Sequence, residues 1–439
     1  MNGSADICQP DIMKETDDIS SGTVFFVTAE SIGLDTCVGV VGITNAHCVE
    51  TMMRKTCRVM QDGITIGDFD VIHVCFALDF AVLKPRTRVS VETCTVSQEV
   101  IAPGTPVSIP GYPLDCDTCQ VARGCVSDHG SNHWIHCNLA SNFGNSGGPL
   151  VSESNQAVYG IVTQSPAYSE SITEVIPIWI VKECISRCAG DDVVIHVPTL
   201  QIVSHALTEH AARFYSIGKD TPGCVVQESR VPNVYKDDVI VEFTDNDGHR
   251  WPVCEESTQV MTPRCGKADI DSHALMLQLP DAFNVILHRS GIEGGIVVEC
   301  NMHCIADSQP PPVNYKPCWE SIPIVRTKGL VITALSQALL NLFEGYDSSE
   351  LLRNAWYMLD CSDNMQPPAV VSFVTPHSHA ADSGIQALMI LTGVNKKPIR
   401  GIADAIQALT PRHVPTRKKL IKLEFNHGKH TAIVDSSLV

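Results

Sequence analysis

The sequence predicts a mainly β chain, with a first half of short strands followed by two regions that mix strands and short helices. Three observations lead there. Through residues 22–164 short apolar runs alternate with Gly, Pro, Asp and Asn, the spacing of an all-β sandwich or barrel. After VVIHVPTLQIV (Val193 to Val203) the pattern changes to helix-like and strand-like segments in turn. The 439 residues exceed one ordinary hydrophobic core and imply roughly two to four domains.

The first-half strands are GTVFFVTA, CVGVVGITNA, FDVIHVCFA, FAVLK, TPVSIPGYP and AVYGIVTQ. In the second half, LTEHAARFYSI (Leu207 to Ile217) reads as helix, GCVVQESRV (Gly223 to Val231) as strand, and KDDVIVEF (Lys236 to Phe243) as a turn feeding a strand. A similar series follows near the C-terminus: AVVSFVTPHSHAADSGI (Ala369 to Ile385), LMILTGVNKKPI (Leu388 to Ile399), the helix-like GIADAIQAL (Gly401 to Leu409) and a last pair of strands. The two series form an approximate internal repeat without a strict period. DSQPPPVNYKPCW (Asp307 to Trp319) reads as a linker, because three consecutive prolines exclude helix. GLVITALSQALLNLF (Gly329 to Phe343) is the longest apolar stretch, too short and too polar for a membrane span, and reads as a core helix.

Composition removes several function classes. With 31 Lys plus Arg against 49 Asp plus Glu, a formal charge of −18 repels phosphate backbones and anionic lipids, so nucleic acid is not an expected partner. No low-complexity segment is present, and MNGSADICQPDIMKETDDIS lacks the basic and apolar regions of a secretory signal. Nineteen scattered cysteines then read as mostly reduced thiols in a cytoplasmic or other reducing compartment.

Three polar residues stand out in the strand-rich half. His47 closes an apolar strand in GVVGITNAHCV, where a histidine is ordinarily a core or turn residue. Asp79 lies within CFALDFAVLK, where a carboxylate among apolar neighbours needs a partner. Ser146 sits in SNFGNSGGPLV (Ser141 to Val151), whose glycines permit successive N–H groups to converge on one point. The bland reading of that stretch is a tight turn. The chemical one is acyl transfer: a serine hydroxyl needs a base, the base needs a carboxylate to fix its tautomer, and the Gly144 and Ser146 amides can form an oxyanion hole. The chain order His, Asp, Ser is that of chymotrypsin-type proteases.

With these residues in place, the sequence resembles the trypsin-like serine proteases of the Deg/HtrA family. The resemblance rests on SGTVFFV (Ser21 to Val27), TNAHCV (Thr44 to Val49), LDFAVLK (Leu78 to Lys84), GTPVSIPGYP (Gly104 to Pro113), RGCVS (Arg123 to Ser127) and NFGNSGGPLV (Asn142 to Val151), and covers roughly residues 15 to 195. It implies His47 as general base, Asp79 as its orienter, Ser146 as nucleophile, Gly144 and Ser146 as oxyanion donors, and a chymotrypsin-like pair of six-stranded barrels. It also puts the floor of the S1 pocket at Ala140 and one wall at Tyr159, Gly160 and Ile161. No acid stands at that floor, so a small or medium apolar P1 residue is expected. The sequence departs from the usual family pattern at Leu139 and Phe143.

Both later series look like PDZ domains, an order similar to the two-PDZ Deg proteases of plants and algae. VPTLQI places Leu200, Gln201 and Ile202 at the carboxylate-binding loop, with Gln201 where the family has glycine. The implied organisation is a tail (1–14), a trypsin-like domain (15–197), a first PDZ-like α+β domain (198–305), a linker (306–320) and a second PDZ-like domain (321–439). The implied function is ATP-independent serine endopeptidase cleavage of unfolded or damaged proteins, in a homo-oligomer of trimers or their multiples, with peptides bound at the PDZ-like domains. No metal or organic cofactor is required, and no G-x-x-x-x-G-K-[ST] stretch is present. The competing reading is a PDZ-based binding or chaperone scaffold with an inactive or conditionally active protease domain.

Other clusters read as structural. Cys116, Cys119, Cys125, His129, His133, His136 and Cys137 match no common zinc spacing. Cys184 with Cys188 and Cys300 with Cys304 read as helix-face or core thiols, and RKKLIK (Arg417 to Lys422) as a solvated strand edge.

Overall fold

The computed structural model describes residues 2–6, 9–16, 22–34, 39–50, 56–130, 134–164, 172–188, 192–218, 221–264, 266–292, 294–302, 305, 319, 323–326, 329–336, 339–340, 351, 353, 355, 368–409, 420–426 and 428–435. The chain divides into two compact units: one comprises 19–50 and 54–309, the other 1–18, 51–53 and 310–439. Of the expected linker only Trp319 is described, and His133, Cys304 and 417–419 also lie outside the described residues. No helix among the described residues is long and apolar enough to cross a membrane.

The second-named unit begins with β1 (Asn2–Asp6) and β2 (Gln9–Thr16), an antiparallel hairpin where the sequence reading placed a tail. The larger unit opens with β3 (Phe25–Thr28), β4 (Val40–Thr44), β5 (Thr56–Gln61), β6 (Ile64–Cys75) and β7 (Phe80–Pro85), which form a five-stranded sheet of order β3-β4-β7-β6-β5. Next come β8 (Pro106–Gly111), β9 (Gln120–His129), β10 (Ile135–Asn138), β11 (Pro149–Ser152), β12 (Val158–Gln164) and β13 (Ile172–Pro177), which close into a six-stranded barrel. The expected pair of six-stranded barrels is thus one closed barrel and, among the described residues, one five-stranded sheet. At the β3 edge the sheet gains a single backbone bond, Cys94 N–H to the Phe26 carbonyl at 2.7 Å, rather than a sixth strand.

Burial explains the strand assignments. The central strand β7 buries Phe80, Ala81, Val82 and Leu83 in succession, which fits a strand flanked on both sides. Helix α1 (Ile178–Cys188) buries Ile178, Trp179, Val181, Cys184 and Ile185 in a core shared with Phe25, Val27, Ile43 and Val82 of the sheet and Ile161 of the barrel. Val107, Ile109, Val126, Leu150, Val162 and Val175 fill the barrel. Sheet and barrel are therefore fixed against each other around one apolar centre, which sets the frame for the residues between them.

Beyond α1 the larger unit contains β14 (Ile202–Ala206), α2 (Glu209–Phe214), β15 (Cys224–Ser229), β16 (Val239–Thr244), β17 (Arg250–Pro252), β18 (Gln259–Thr262), β19 (Gly266–Asp269), α3 (His273–Met276), β20 (Ala282–His288) and β21 (Ile296–Asn301). Its main sheet runs β14-β15-β16-β20-β21, with β14 on an edge. Strand β20 alternates buried Phe283, Val285 and Leu287 with more open neighbours, the period-two signature of a sheet with one covered face. Thr208 caps α2, its hydroxyl accepting from the Ala211 N–H. Arg187 of α1 donates to the Met276 and Leu277 carbonyls at 3.2 and 2.8 Å and to Asp281 at 2.9 Å, joining this domain to the preceding one.

A buried ion pair holds this sheet. Asp238 is 1% exposed and receives Arg289 Nε and Nη2 at 2.7 and 2.8 Å and the Tyr235 N–H at 2.8 Å. Arg289→Ala leaves that carboxylate buried without its cation, so a loss of about 3 kcal/mol is expected in urea unfolding. A loss within 0.5 kcal/mol, the size of an ordinary surface change, would show the pair to be incidental.

The smaller unit has β22 (Ile324–Arg326), β23 (Leu330–Ala334) and β24 (Ala369–Val374) in one sheet, then α4 (His379–Asp382), β25 (Leu391–Val394), β26 (Lys397–Pro398), α5 (Ile402–Leu409), β27 (Leu420–Phe425) and β28 (His430–Asp435), whose strands order β26-β25-β27-β28. The core helix expected from Gly329 is instead a strand over Leu330–Ala334. All five residues are buried between β22 and β24, and β-branched Val331, Ile332 and Thr333 favour that setting; among the described residues of the stretch, Leu339 and Leu340 are helical.

Candidate active site

His47, Asp79 and Ser146 come from different elements. His47 lies in the turn after β4, Asp79 ends the turn before β7, and Ser146 lies in the loop between β10 and β11. Asp79 adopts φ 50°, a left-handed conformation that aspartate tolerates better than most residues. Its carboxylate accepts the His47 backbone N–H at 3.0 Å, and the imidazole Nδ1 lies 3.1 and 2.9 Å from its two oxygens. Asn45 Nδ2 donates to the Asp79 carbonyl at 2.9 Å, and Thr163 Oγ1 donates to Oδ2 at 2.5 Å.

Four donors or ring atoms thus fix Asp79 against the imidazole. That hydrogen bond, reinforced by Cys48 and opposed by partial burial, pushes the His47 pKa up to about 10. Below that pH the ring is an imidazolium with no free pair to accept a proton. Base-dependent turnover is therefore expected to rise with pH well beyond the ordinary histidine range, and the His47 Cε1–H resonance should titrate far above 6.5. The stability linkage has the opposite sign: pairing favours the folded state fully below 6.5 and is lost as pH rises through 10. An NMR midpoint near 6.5 would show that the Asp79 contact does not control this ring.

The loop carrying Ser146 depends on glycine at two positions. Gly144 has φ 96° and a Cβ there would lie 2.3 Å from the Tyr112 carbonyl oxygen; Gly147 has φ 86° and a Cβ would meet the Thr23 carbonyl oxygen at 2.2 Å. Thr23 ties the loop down: its N–H donates to the Ser146 carbonyl at 2.8 Å, its hydroxyl to the Gly144 carbonyl at 2.6 Å, and its carbonyl receives the Thr44 hydroxyl at 2.8 Å. The Phe143 carbonyl accepts the Leu114 N–H at 2.7 Å, so the trans peptide turns the Gly144 N–H the other way. Among the described residues neither the Gly144 nor the Ser146 N–H has an acceptor, which leaves both for a ligand oxygen.

Ser146 Oγ does not bond His47. It donates to the Thr163 carbonyl at 3.0 Å. Thr163, at the end of β12, thereby touches both ends of the constellation, since its hydroxyl holds Asp79 and its carbonyl holds the serine. Sequence reading missed Thr163, Thr23 and Asn45. Asn45 lies within TNAHC and Thr163 within GIVTQ, but neither carries a charge or a nucleophile to attract notice.

The chain matches the family model described as trypsin-like peptidase domain over residues 22–161. Residues 22–161 form a trypsin-like peptidase domain. No curated protein matches the chain significantly. Among solved structures it is similar to one described as HtrA-type protease AlgW with decapeptide, at 20% identity over 66% of this chain and 83% of that one, TM-score 0.46. Another, HtrA-type protease AlgW with tripeptide, is 18% identical over 64% of this chain and 93% of that one, TM-score 0.45.

Within the trypsin-like domain the specificity residues separate. Ala140 is exposed. The expected wall is corrected: Ile161 is fully buried in the central core, Tyr159 is buried with its hydroxyl accepting from Asn155 at 3.0 Å, and a Cβ on Gly160 would meet the Ile176 carbonyl oxygen at 2.5 Å. Those side chains cannot line an open pocket. Strand β12 touches the Ser146 hydroxyl at Thr163, two residues beyond Ile161 on the same strand. Leu200 and Ile202 are buried, and Gln201 lies between them at φ 52°.

Three members of the cysteine and histidine cluster of the barrel make local contacts. His129 Nε2 lies 2.7 Å from the Ile101 carbonyl, His136 Nδ1 is 2.7 Å from Asp128, and Gln120 donates to Cys116. Among the described residues the group close enough to share a metal ion is Asp245, Asp247 and His249, in the turn between β16 and β17, where His249 Nδ1 already pairs with Asp245 at 2.7 Å.

Proposed function

We propose that this chain is a Deg/HtrA-type serine endopeptidase that cuts unfolded or damaged polypeptides without ATP. His47 Nε2 takes the Ser146 hydroxyl proton as Oγ attacks the scissile carbonyl carbon, and the Gly144 and Ser146 N–H groups receive the oxyanion. The C–N bond breaks as His47 returns the proton to the leaving amine. Water then repeats the sequence on the acyl ester and regenerates Ser146. The observation that carries the reading is the clamped His47–Asp79 pair joined through Thr163 to a serine whose loop holds two unclaimed amides. An apolar P1 residue fits exposed Ala140 with no acid beside it in sequence.

A second reading, a scaffold with a conditionally active protease domain, is favoured by one feature: the Ser146 hydroxyl is bonded to Thr163 rather than to His47. Activation then requires Oγ to exchange that acceptor for the imidazole. Labelling with a fluorophosphonate followed by peptide mapping separates the two. Modification at Ser146 together with casein cleavage supports the peptidase; a folded chain that is never labelled, with or without peptide activators, supports the scaffold. Light scattering checks the proposed trimer or multiple of trimers, and a compact monomer counts against it.

A further inference from the structure

Three thiols meet where helix α1 ends. Cys75, the last residue of β6, and Cys184 are fully buried in the apolar centre shared by sheet and barrel, and half-buried Cys188 packs at its edge as the last residue of α1. Cys184 hydrogen-bonds both of the others. Burial above all, with those hydrogen bonds, pushes the Cys184 thiol up. Cys188 moves the other way: the hydrogen bond from Cys184 and the Arg187 cation pull its thiol down, against partial burial and the Asp281 carboxylate. A half-open thiol that leans toward thiolate, beside a protonated neighbour, is the arrangement of an attacking and a resolving cysteine. Acyl transfer uses neither.

Residues four apart on a helix hold their Cβ atoms about 5–6 Å apart, whereas a disulfide needs about 3.5–4.5 Å, so a Cys184–Cys188 bond has to draw the end of the helix inward. Cys75 cannot make that adjustment, because it is held in the β6–β7 ladder opposite Phe80. The last turn of α1 can, since the final carbonyls of a helix have no partner within it. That turn carries Arg187, which donates to the Met276 and Leu277 carbonyls at 3.2 and 2.8 Å and to Asp281 at 2.9 Å in the following domain. A second tie lies on the earlier turns, where Arg264 reaches Glu183 at 3.3 Å and its guanidinium stands 5.1 Å from the Trp179 ring centre. Drawing in the last turn therefore releases one tie and spares the other.

We propose that Cys188 is a site of oxidation by hydrogen peroxide, that Cys184 resolves it, and that the resulting disulfide frees Arg187 from the domain that follows. The Cys188 thiolate attacks one peroxide oxygen: the S–O bond forms, the O–O bond breaks, and the leaving hydroxide takes up the proton Cys188 had released. The Cys184 sulfur then attacks the sulfenic sulfur, the S–O bond breaks, and hydroxide leaves with the Cys184 proton as a second water. Two thiols are oxidised to one disulfide, and one peroxide is reduced to two waters. Dithiothreitol reverses the change. This goes beyond the peptidase reading and does not depend on it.

The test uses the full chain carrying Ser146→Ala, so that it cannot cut itself, with hydrogen peroxide in slight excess. Trypsin cuts after Lys182 and Arg187, so the proposed disulfide joins two otherwise separate peptides. Mass spectrometry should find that pair, and dimedone should trap Cys188 in Cys184→Ala. Exposed Cys119, whose thiol is pushed up chiefly by loss of water, is the internal reference. Cys188 should react about tenfold faster or more, because the rate follows the thiolate fraction. Hydrogen exchange at 276–281 should rise on oxidation, stay unchanged at 259–264, and return with dithiothreitol; Arg187→Ala should raise it without peroxide. Cys119 reacting first, a disulfide between Cys184 and Cys75, or a Cys184–Cys188 bond that leaves exchange at 276–281 unchanged overturns the proposal. If Cys184→Ala does not fold, the peptide map and exchange of the parent decide alone.

Discussion

Ser146→Ala is expected to lower kcat on unfolded casein by about six orders of magnitude, the size of loss seen when a triad nucleophile is removed. The side chain makes one hydrogen bond, to the Thr163 carbonyl, while the backbone is held independently by Thr23 at the Ser146 carbonyl. The loop and its two unclaimed amides should therefore survive the change, and the melting temperature should stay put. Residual activity would come from oxyanion stabilisation and substrate binding alone. Active-site titration with a fluorophosphonate before and after the substitution distinguishes true residual turnover from traces of unmutated enzyme. A loss of less than about a hundredfold would remove Ser146 from the role of nucleophile, since general acid–base effects alone reach that size.

Asp79→Asn should cost about four orders of magnitude in kcat, through the tautomer of its neighbour. Both carboxylate oxygens face Nδ1, so once the ring is neutral Nδ1 keeps the proton and Nε2 is the nitrogen with a free pair. An asparagine amide can donate to Nδ1 instead, which drives the ring proton to Nε2 and abolishes the base. The same change removes the main cause of the raised His47 pKa, so the titration should move down from about 10 toward the ordinary value. In the variant the His47 N–H keeps the oxygen it now bonds, while the Thr163 hydroxyl, which now donates to the other oxygen, can turn to accept from the new amide, which limits structural damage. Steady-state kinetics with NMR titration provides the check: kcat falling while KM holds, together with a lowered pKa, is the expected pair of results. A lowered pKa with full activity would show that the imidazole works without an orienting carboxylate.

Much of the trypsin-like domain was legible because its signals are local. A glycine on each side of Ser146 announces a loop with special backbone angles, and the structure gives Gly144 and Gly147 φ values of 96° and 86°. An isolated Asp79 in an apolar run requires a partner, and His47 is that partner. Misreadings arose where two conformations share one composition. The stretch from Leu330 to Ala334 is apolar enough for a core helix, and its place between two strands decided for sheet. The wall assigned to Tyr159 and Ile161 failed because both side chains of that strand are covered, from opposite sides, by two different cores.

By itself, then, the sequence determined which residue types are present at which turns and strand ends: a histidine, a carboxylate and a serine, the glycines that shape the serine's loop, and a mainly β frame. Only the tertiary structure decided how they connect. Thr163 bridges Asp79 across 84 positions of chain, the Ser146 hydroxyl rests on the Thr163 carbonyl, and the Gln201 N–H bonds Asp271 70 positions away. Local propensity acts over a few residues, whereas a hydrogen bond is decided by distance and direction in space, which the packing of sheet, barrel and helix supplies.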